Sequence, residues 1–429
     1  MGSVRSVGRA FFPLDEELGL LPGHLTPHAH ECLVRFGAWI PFERAAKELA
    51  FVLKVVVSEP TVRRYTESAG AAYEAHQTAE VARLEQETPA SPEGLEKMFF
   101  SVDGAMIPLV GGEWTEVKTL TIGEIEAPVV EQGEWVVHSR EHSYFSRMSE
   151  ASDFRRLALV ETHRRGVEKS RLIAAVTDGA EWEQGFIDFH CSNAVRILDF
   201  PHASERVCQI GQALWGEETE PTKAWLDEQL HSLKHTGPTD ILAELNYLQR
   251  QHPSLEVLQH NLAYLEKRAD HMRYPQYRQQ GLPIGSGAME SGNKVVVEAR
   301  LKGAGMHWAC PHVNPVLALR NILCSDRWEE AWSQIASVLR QDEVIRRKIL
   351  HQKRKAVARP ALAPEASSQA FDLMPSQPIS QSPEQSPLSL SDPIPNPAEK
   401  SSKPAKDHPW RRSPFGKAKY WSADHFSKN

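Results

Sequence analysis

Several things are missing from this sequence of 429 residues, and each absence narrows what it can do. There is no CxxC pair, and the five cysteines (Cys32, Cys191, Cys208, Cys310 and Cys324) are odd in number and scattered. That argues against a disulfide scaffold and a cysteine-rich zinc module, and it fits a reducing, cytoplasmic compartment. No run of about 18 apolar residues occurs, and the start, MGSVRSVGRAFFPLDEE, has no apolar signal core, so no membrane association is expected. Nor is there an excess of positive charge. The 49 Lys and Arg against 56 Asp and Glu leave a formal charge of −7, so nucleic-acid binding has to come from local patches. HExxH spacing is also absent, and no zinc site is expected.

What is present is ordinary globular material, with 41% hydrophobic and 24% charged residues, enough for two or three domains. The end of the chain stands apart. From Pro360 to Asn429 there are 12 of the 29 prolines and 13 serines, with 8 basic and 7 acidic residues and only isolated apolar ones. Such a segment cannot bury enough apolar surface to offset chain entropy, so it is expected to be disordered.

The first 95 residues read as helical. PFERAAKELAFVL places Phe42, Ala45, Ala46, Leu49 and Leu53 at three- and four-residue steps, and a second helix follows, capped by Ser58 with Pro60 in its first turn. Two helices joined by a short turn, with Arg63 and Arg64 early in the second, read as helix-turn-helix-like, the arginines facing DNA. A plain helical hairpin with solvated arginines fits the same pattern. A second basic stretch, RRKILHQKRKAVAR, holds seven basic residues and no acid. Its Arg346, Arg347 and Lys348 can contact phosphates, or simply solvate a helix end.

Between residues 96 and 202 the periodicity changes. MFFSVDG, TEVKTLTIGEIE and EHSYFSRMS read as three successive strands. DFRRLALVETHRRG is helical, RLIAAVTDG is a buried-looking strand, WEQGFIDFHC is a short helix and AVRILDF is a last strand. The order predicts an α/β fold, a mixed sheet with its last strands parallel. Residues 203–283 are helical, and GLPIGSG then introduces the helix AMESGNKVVVEARLKG.

Asp103 and Asp178 each end an apolar strand and precede a glycine. An Asp-Gly pair can merely cap a turn. Two carboxylates converging at strand ends repel each other unless a divalent cation bridges them, and open α/β sheets do their chemistry there. Glu290, opening the helix after the glycine-rich turn, supplies a third oxygen ligand, with Glu298 two turns later as the competing candidate. Three such acids can hold two magnesium ions, replaceable by manganese, for phosphodiester cleavage or transfer.

The blocks SVDGAMIP, AVTDGAEW, ILDFPHASERV and GLPIGSGAMESGNKVVVEARLKGAGMHW resemble the signature blocks of bacterial insertion-sequence transposases of the ISKra family, over about residues 12–332. That family belongs to the Asp-Asp-Glu class with a ribonuclease-H-like core. The resemblance implies Asp103, Asp178 and Glu290 as catalytic, metal-holding acids. It implies a helical insertion between Asp199 and Glu290, and Asp199 with His202 as a supporting DxxH. The partners implied are double-stranded DNA (the inverted-repeat element ends and a target) and other copies of the chain assembled on that DNA. Many relatives carry paired cysteines ahead of the segment that here reads FFPLDEELGL, where this chain has only Cys32 nearby, so an incomplete end-recognition module is expected. Trp308, in GMHWACP, reads as core, with base stacking as the alternative.

The expected layout is a helix-turn-helix-like region at 1–95 and the first part of the core at 96–202. The helical insertion follows at 203–283, core completion at 284–350, and a basic segment with the disordered tail at 351–429. The expected function is DNA strand cleavage and strand transfer at element ends. The alternatives are a non-catalytic DNA-binding remnant or domesticated regulator, and a ribonuclease-H-like nuclease on another substrate.

Overall fold

The computed structural model describes residues 18–131 and 133–357. The Pro/Ser-rich tail, whose disorder the composition predicts, lies outside the described residues. Three helices come first: α1 (Pro27–Trp39), α2 (Phe42–Leu53) and α3 (Glu59–Glu87). Strands β1 (Lys97–Pro108) and β2 (Trp114–Ile125) follow, then a small hairpin of β3 (Val129–Glu131) and β4 (Glu134–Val136), and then β5 (Ser139–Arg147). Next are α4 (Ala151–Leu157), α5 (Leu159–Arg164), β6 (Leu172–Thr177), α6 (Glu181–Cys191) and β7 (Val195–Leu198). The insertion is α7 (Phe200–Trp215), α8 (Glu220–His235), α9 (Pro238–Gln251), α10 (Glu256–Lys267) and α11 (Tyr274–Gln279). After it come α12 (Gly287–Gly292), a π-helical stretch (Asn293–Glu298), α13 (Ala299–Leu301), α14 (Cys310–Cys324) and α15 (Trp328–Val357).

The sheet is mixed, with five strands in the order β5-β2-β1-β6-β7. β1, β2 and β5 pair antiparallel, whereas β1–β6 and β6–β7 are parallel, which the helical crossovers require. Alternation along β1 sorts its side chains. Met98, Phe100 and Val102 enter one core with Phe145, Phe154 and Phe186, under the helices that follow β5 and β6. Phe99 faces the other way, into a core with Ala174, Val176, Ile197 and the insertion's Val207, Leu245, Leu262 and Tyr274. β6 is buried on both faces, hence its unbroken apolar run Leu172–Val176.

The helices of the first ninety residues do not pack alone. Leu33, Leu49, Val62 and Ala69 share one core with Leu319, Ile322, Trp328 and Ile335 of α14 and α15. A close approach to α14 is at Gly70, where a Cβ would stand 2.0 Å from the Pro315 carbonyl oxygen. Among the described residues no helix is long and apolar enough to cross a membrane.

Candidate active site

The register of the two central strands builds the site. β1 and β6 pair from Lys97↔Leu172 to Phe100↔Ala175, and the Ser101 hydroxyl donates to the Val176 carbonyl at 2.6 Å. Carried three residues further, that register sets Asp103 level with Asp178, and pleat alternation puts both on the face shared by Phe99 and Val176. β1 does not end there: it runs on to Pro108, paired with β2, whereas its parallel pairing with β6 stops at Phe100, three residues before Asp103.

Each aspartate is fixed by backbone N–H groups. Asp103 Oδ1 accepts from Gly104 N at 2.7 Å, and Asp178 Oδ1 accepts from Ala180 N at 2.8 Å. Burial pushes the Asp103 carboxyl up to about 6, and the neighbouring Asp178 charge adds to the rise. The two carboxyls therefore feel each other, as a cation-binding pair should.

Two further acids belong to the site. Asp199, fully buried after β7, caps α7: its Oδ2 accepts from His202 N at 3.1 Å and from His202 Nδ1 at 2.6 Å, and its Oδ1 accepts from Ser286 N at 2.6 Å. That bond to Asp199 pushes His202 up to about 9, and the charges of Asp178 and Asp103 act in the same direction. An imidazolium thus stands near the acid pair at neutral pH. Glu183, the other acid, was not singled out in the sequence. It is buried, its Oε2 accepts from Gly179 N and Ala180 N at 3.1 Å each, and burial with a hydrogen bond to Asp178 raises its carboxyl well above the usual range. The available signal was its place, three residues after Ala180 at a helix start, where a Glu bonds back to the turn.

From the glycine-rich block, Asn293 reaches the pair: its Nδ2 donates to Asp103 Oδ2 at 2.9 Å, while its buried Oδ1 has no hydrogen-bond partner among the described residues. Glu290 is exposed and lies 3.6 Å from Lys294 Nζ, so the structure does not bring its carboxylate into the cluster. It sits one turn before Asn293, and residues three apart share a helix face. Glu298, the competing candidate, bonds Lys302 Nζ at 2.9 Å. Missing Asn293 was a matter of type: an amide is not a carboxylate, although its i+3 spacing from Glu290 was visible.

Neither a protein-family model nor a curated protein matches the chain. Among solved structures, the crystal structure of NurA bound to dAMP and manganese is similar at 15% identity and a TM-score of 0.11. It covers 66% of this chain, and the chain spans 65% of its length, a likeness that assigns neither fold nor activity.

Among the described residues no three His, Cys, Asp or Glu side chains already stand as a metal-ligand group. The donors that do converge are nevertheless of the right kind for a hard cation. They are the level pair Asp103 and Asp178, whose mutual repulsion a cation removes, and the unpartnered Asn293 oxygen beside them.

The expected DNA contacts lie elsewhere. Arg63 and Arg64 are exposed on α3, a 29-residue helix whose buried face packs on α14, and Arg64 lies 5.6 Å from the Tyr65 ring. Arg346, Arg347 and Lys348 are exposed on α15, the two arginines pairing with Glu343 at 2.8 Å. Trp308 is buried against Phe42 and donates from Nε1 to the Leu301 carbonyl at 3.0 Å, which is the core reading.

Proposed function

We propose that this chain is a DNA transposase of the ISKra type, built on a ribonuclease-H-like core, that cleaves and joins strands at insertion-sequence ends. The observation that carries the reading is the parallel register of β1 and β6, which, continued three residues past Phe100↔Ala175, brings Asp103 level with Asp178 just after β6, close enough for the Asp178 charge to raise the Asp103 carboxyl. The strand order, three antiparallel strands followed by two parallel ones, supports the core assignment.

In this reading Asp103, Asp178 and Glu290 hold two magnesium ions, or manganese, which supply Lewis-acid activation of a water or 3′-hydroxyl nucleophile and stabilise the departing oxygen. The chain's own groups do the rest. Backbone N–H groups of Gly104 and Ala180 aim the aspartates. Asp199 fixes the His202 ring through Nδ1, so its positive charge stands beside the acids, where a phosphodiester would enter. Glu290 completes the set by leaving Lys294 and turning inward on the face that Asn293 already presents to Asp103. Exposed Arg63, Arg64, Arg346, Arg347 and Lys348 give DNA phosphates their counter-charge.

The test is strand cleavage and joining by the full chain on double-stranded DNA carrying the inverted repeats around its gene, with magnesium or manganese. Asp103→Asn, Asp178→Asn and Glu290→Gln should each lower cleavage about 1000-fold, the loss of several kcal/mol of charge stabilisation. Undiminished cleavage in Asp103→Asn would overturn the assignment. Specific DNA binding without any cleavage would instead favour a non-catalytic regulator.

A further inference from the structure

The helical insertion folds back onto the acid cluster. The Tyr264 hydroxyl, near the end of α10, donates to the Asp178 carbonyl oxygen. Arg268, one turn on, donates from Nε and Nη2 to the Gly179 carbonyl at 3.1 and 2.6 Å, and from Nη1 to the Tyr264 carbonyl at 3.1 Å. Its guanidinium lies 3.8 Å from the Tyr264 ring centroid, and the Arg206 guanidinium lies 4.5 Å from the same ring. Two guanidinium cations thus lie over the tyrosine ring. A second grip of the same kind lies at the neighbouring strand. Tyr274 donates from its hydroxyl to the Leu198 carbonyl at 2.9 Å, one residue before Asp199.

From these contacts we infer that the insertion is a positioning device for the acid cluster, with Tyr264 and Arg268 holding the turn that aims Asp178. The inference rests on the metal-dependent reading above. Four polar backbone groups of that turn are engaged. Asp178 O and Gly179 O take the insertion's donors, while Gly179 N and Ala180 N are taken by Glu183 and Asp178. Gly179 has φ +83°, and a Cβ there would stand 2.3 Å from Arg268 Nε, so the turn and the arginine are fitted to each other. A planar fork fixes two directions where a lysine would fix one. Groups that orient a ligand matter because a carboxylate displaced by about 1 Å binds its metal less well.

The experiment is manganese titration of the full chain at pH 7.5, followed by water-proton relaxation, with thermal melts on the same samples. Tyr264→Phe, which removes one hydroxyl, and Arg268→Gln should each weaken manganese binding about tenfold. Lys267→Ala, on the same helix as Tyr264, breaks the exposed 2.7 Å pair with Glu181 of α6 and should leave it unchanged. Tyr264→Phe, which loses a single hydrogen bond, should stay folded and melt only a few degrees below the wild type, which keeps the test valid if Arg268→Gln folds poorly. Wild-type affinity in Tyr264→Phe and in folded Arg268→Gln, with binding lost in Asp178→Asn, would overturn the positioning role alone. Wild-type affinity in Asp178→Asn would overturn the metal reading and this inference with it.

Discussion

A carboxyl group buried beside a second one is destabilising until a cation joins them, and Asp103 is in that position. Its folded value near 6 lies above the ordinary 3.8, so its contribution is lost as pH rises through 6. Asp103→Asn removes the repulsion, and the unpartnered Asn293 oxygen can turn to accept from the introduced amide. The metal-free variant should therefore melt about 3 °C above the wild type at pH 7.5 and level with it at pH 4, in calorimetry. His202 also loses stability with rising pH, for the opposite reason. Its raised value means a contribution fully present below 6.5 and lost as pH rises through about 9. His202→Gln should cost about 1 kcal/mol at pH 6, a figure reduced for screening because the side chain is 42% exposed, and nothing at pH 10. Urea unfolding at the two pH values checks this.

Among the elements, the strands were legible because apolar alternation is dense there. Met98, Phe100 and Val102 on one face of β1 and Phe99 on the other announce a two-sided sheet. The β3–β4 hairpin was not legible, because Val129, Val130 and Trp135 are exposed and carry no burial pattern. The site was legible in part. Asp178 was visible from a strand end and its glycine, and Asp103 from its apolar run and glycine although β1 continues past it to Pro108, whereas Glu183 and Asn293 are brought to the aspartates by a turn and a helix face that only the fold supplies. The helix read across AMESGNKVVVEARLKG is continuous from Gly287 to Leu301 but π-helical at Asn293–Glu298, where the Arg320 guanidinium donates to the Val296 carbonyl at 3.2 Å. Gly179→Ala probes the β6–α6 turn. With φ +83° and a 2.3 Å clash, it should destabilise by about 2 kcal/mol in chemical denaturation.

At the scale of the molecule, the glycine-rich block is tied to the N-terminal helices. Arg300, buried between Phe42 and Trp308, donates to the Gly37 carbonyl at 3.2 and 3.0 Å, and burial pushes it down to about 10. Arg300→Ala should cost about 3 kcal/mol, because it empties a packed site and orphans that carbonyl. Calorimetry should show one transition shifted down as a whole, since α1–α3 share their core with α14 and α15. No periodicity in the sequence could announce that shared core, because its halves lie more than 200 residues apart.

The central claim is that Asp103 and Asp178 hold a pair of divalent ions. Electron paramagnetic resonance of the full chain titrated with manganese at pH 7.5 tests it most directly. The account predicts the spectrum of two coupled ions about 4 Å apart, lost in both Asp103→Asn and Asp178→Asn. Uncoupled manganese only, or a coupled pair that survives both substitutions, would contradict it.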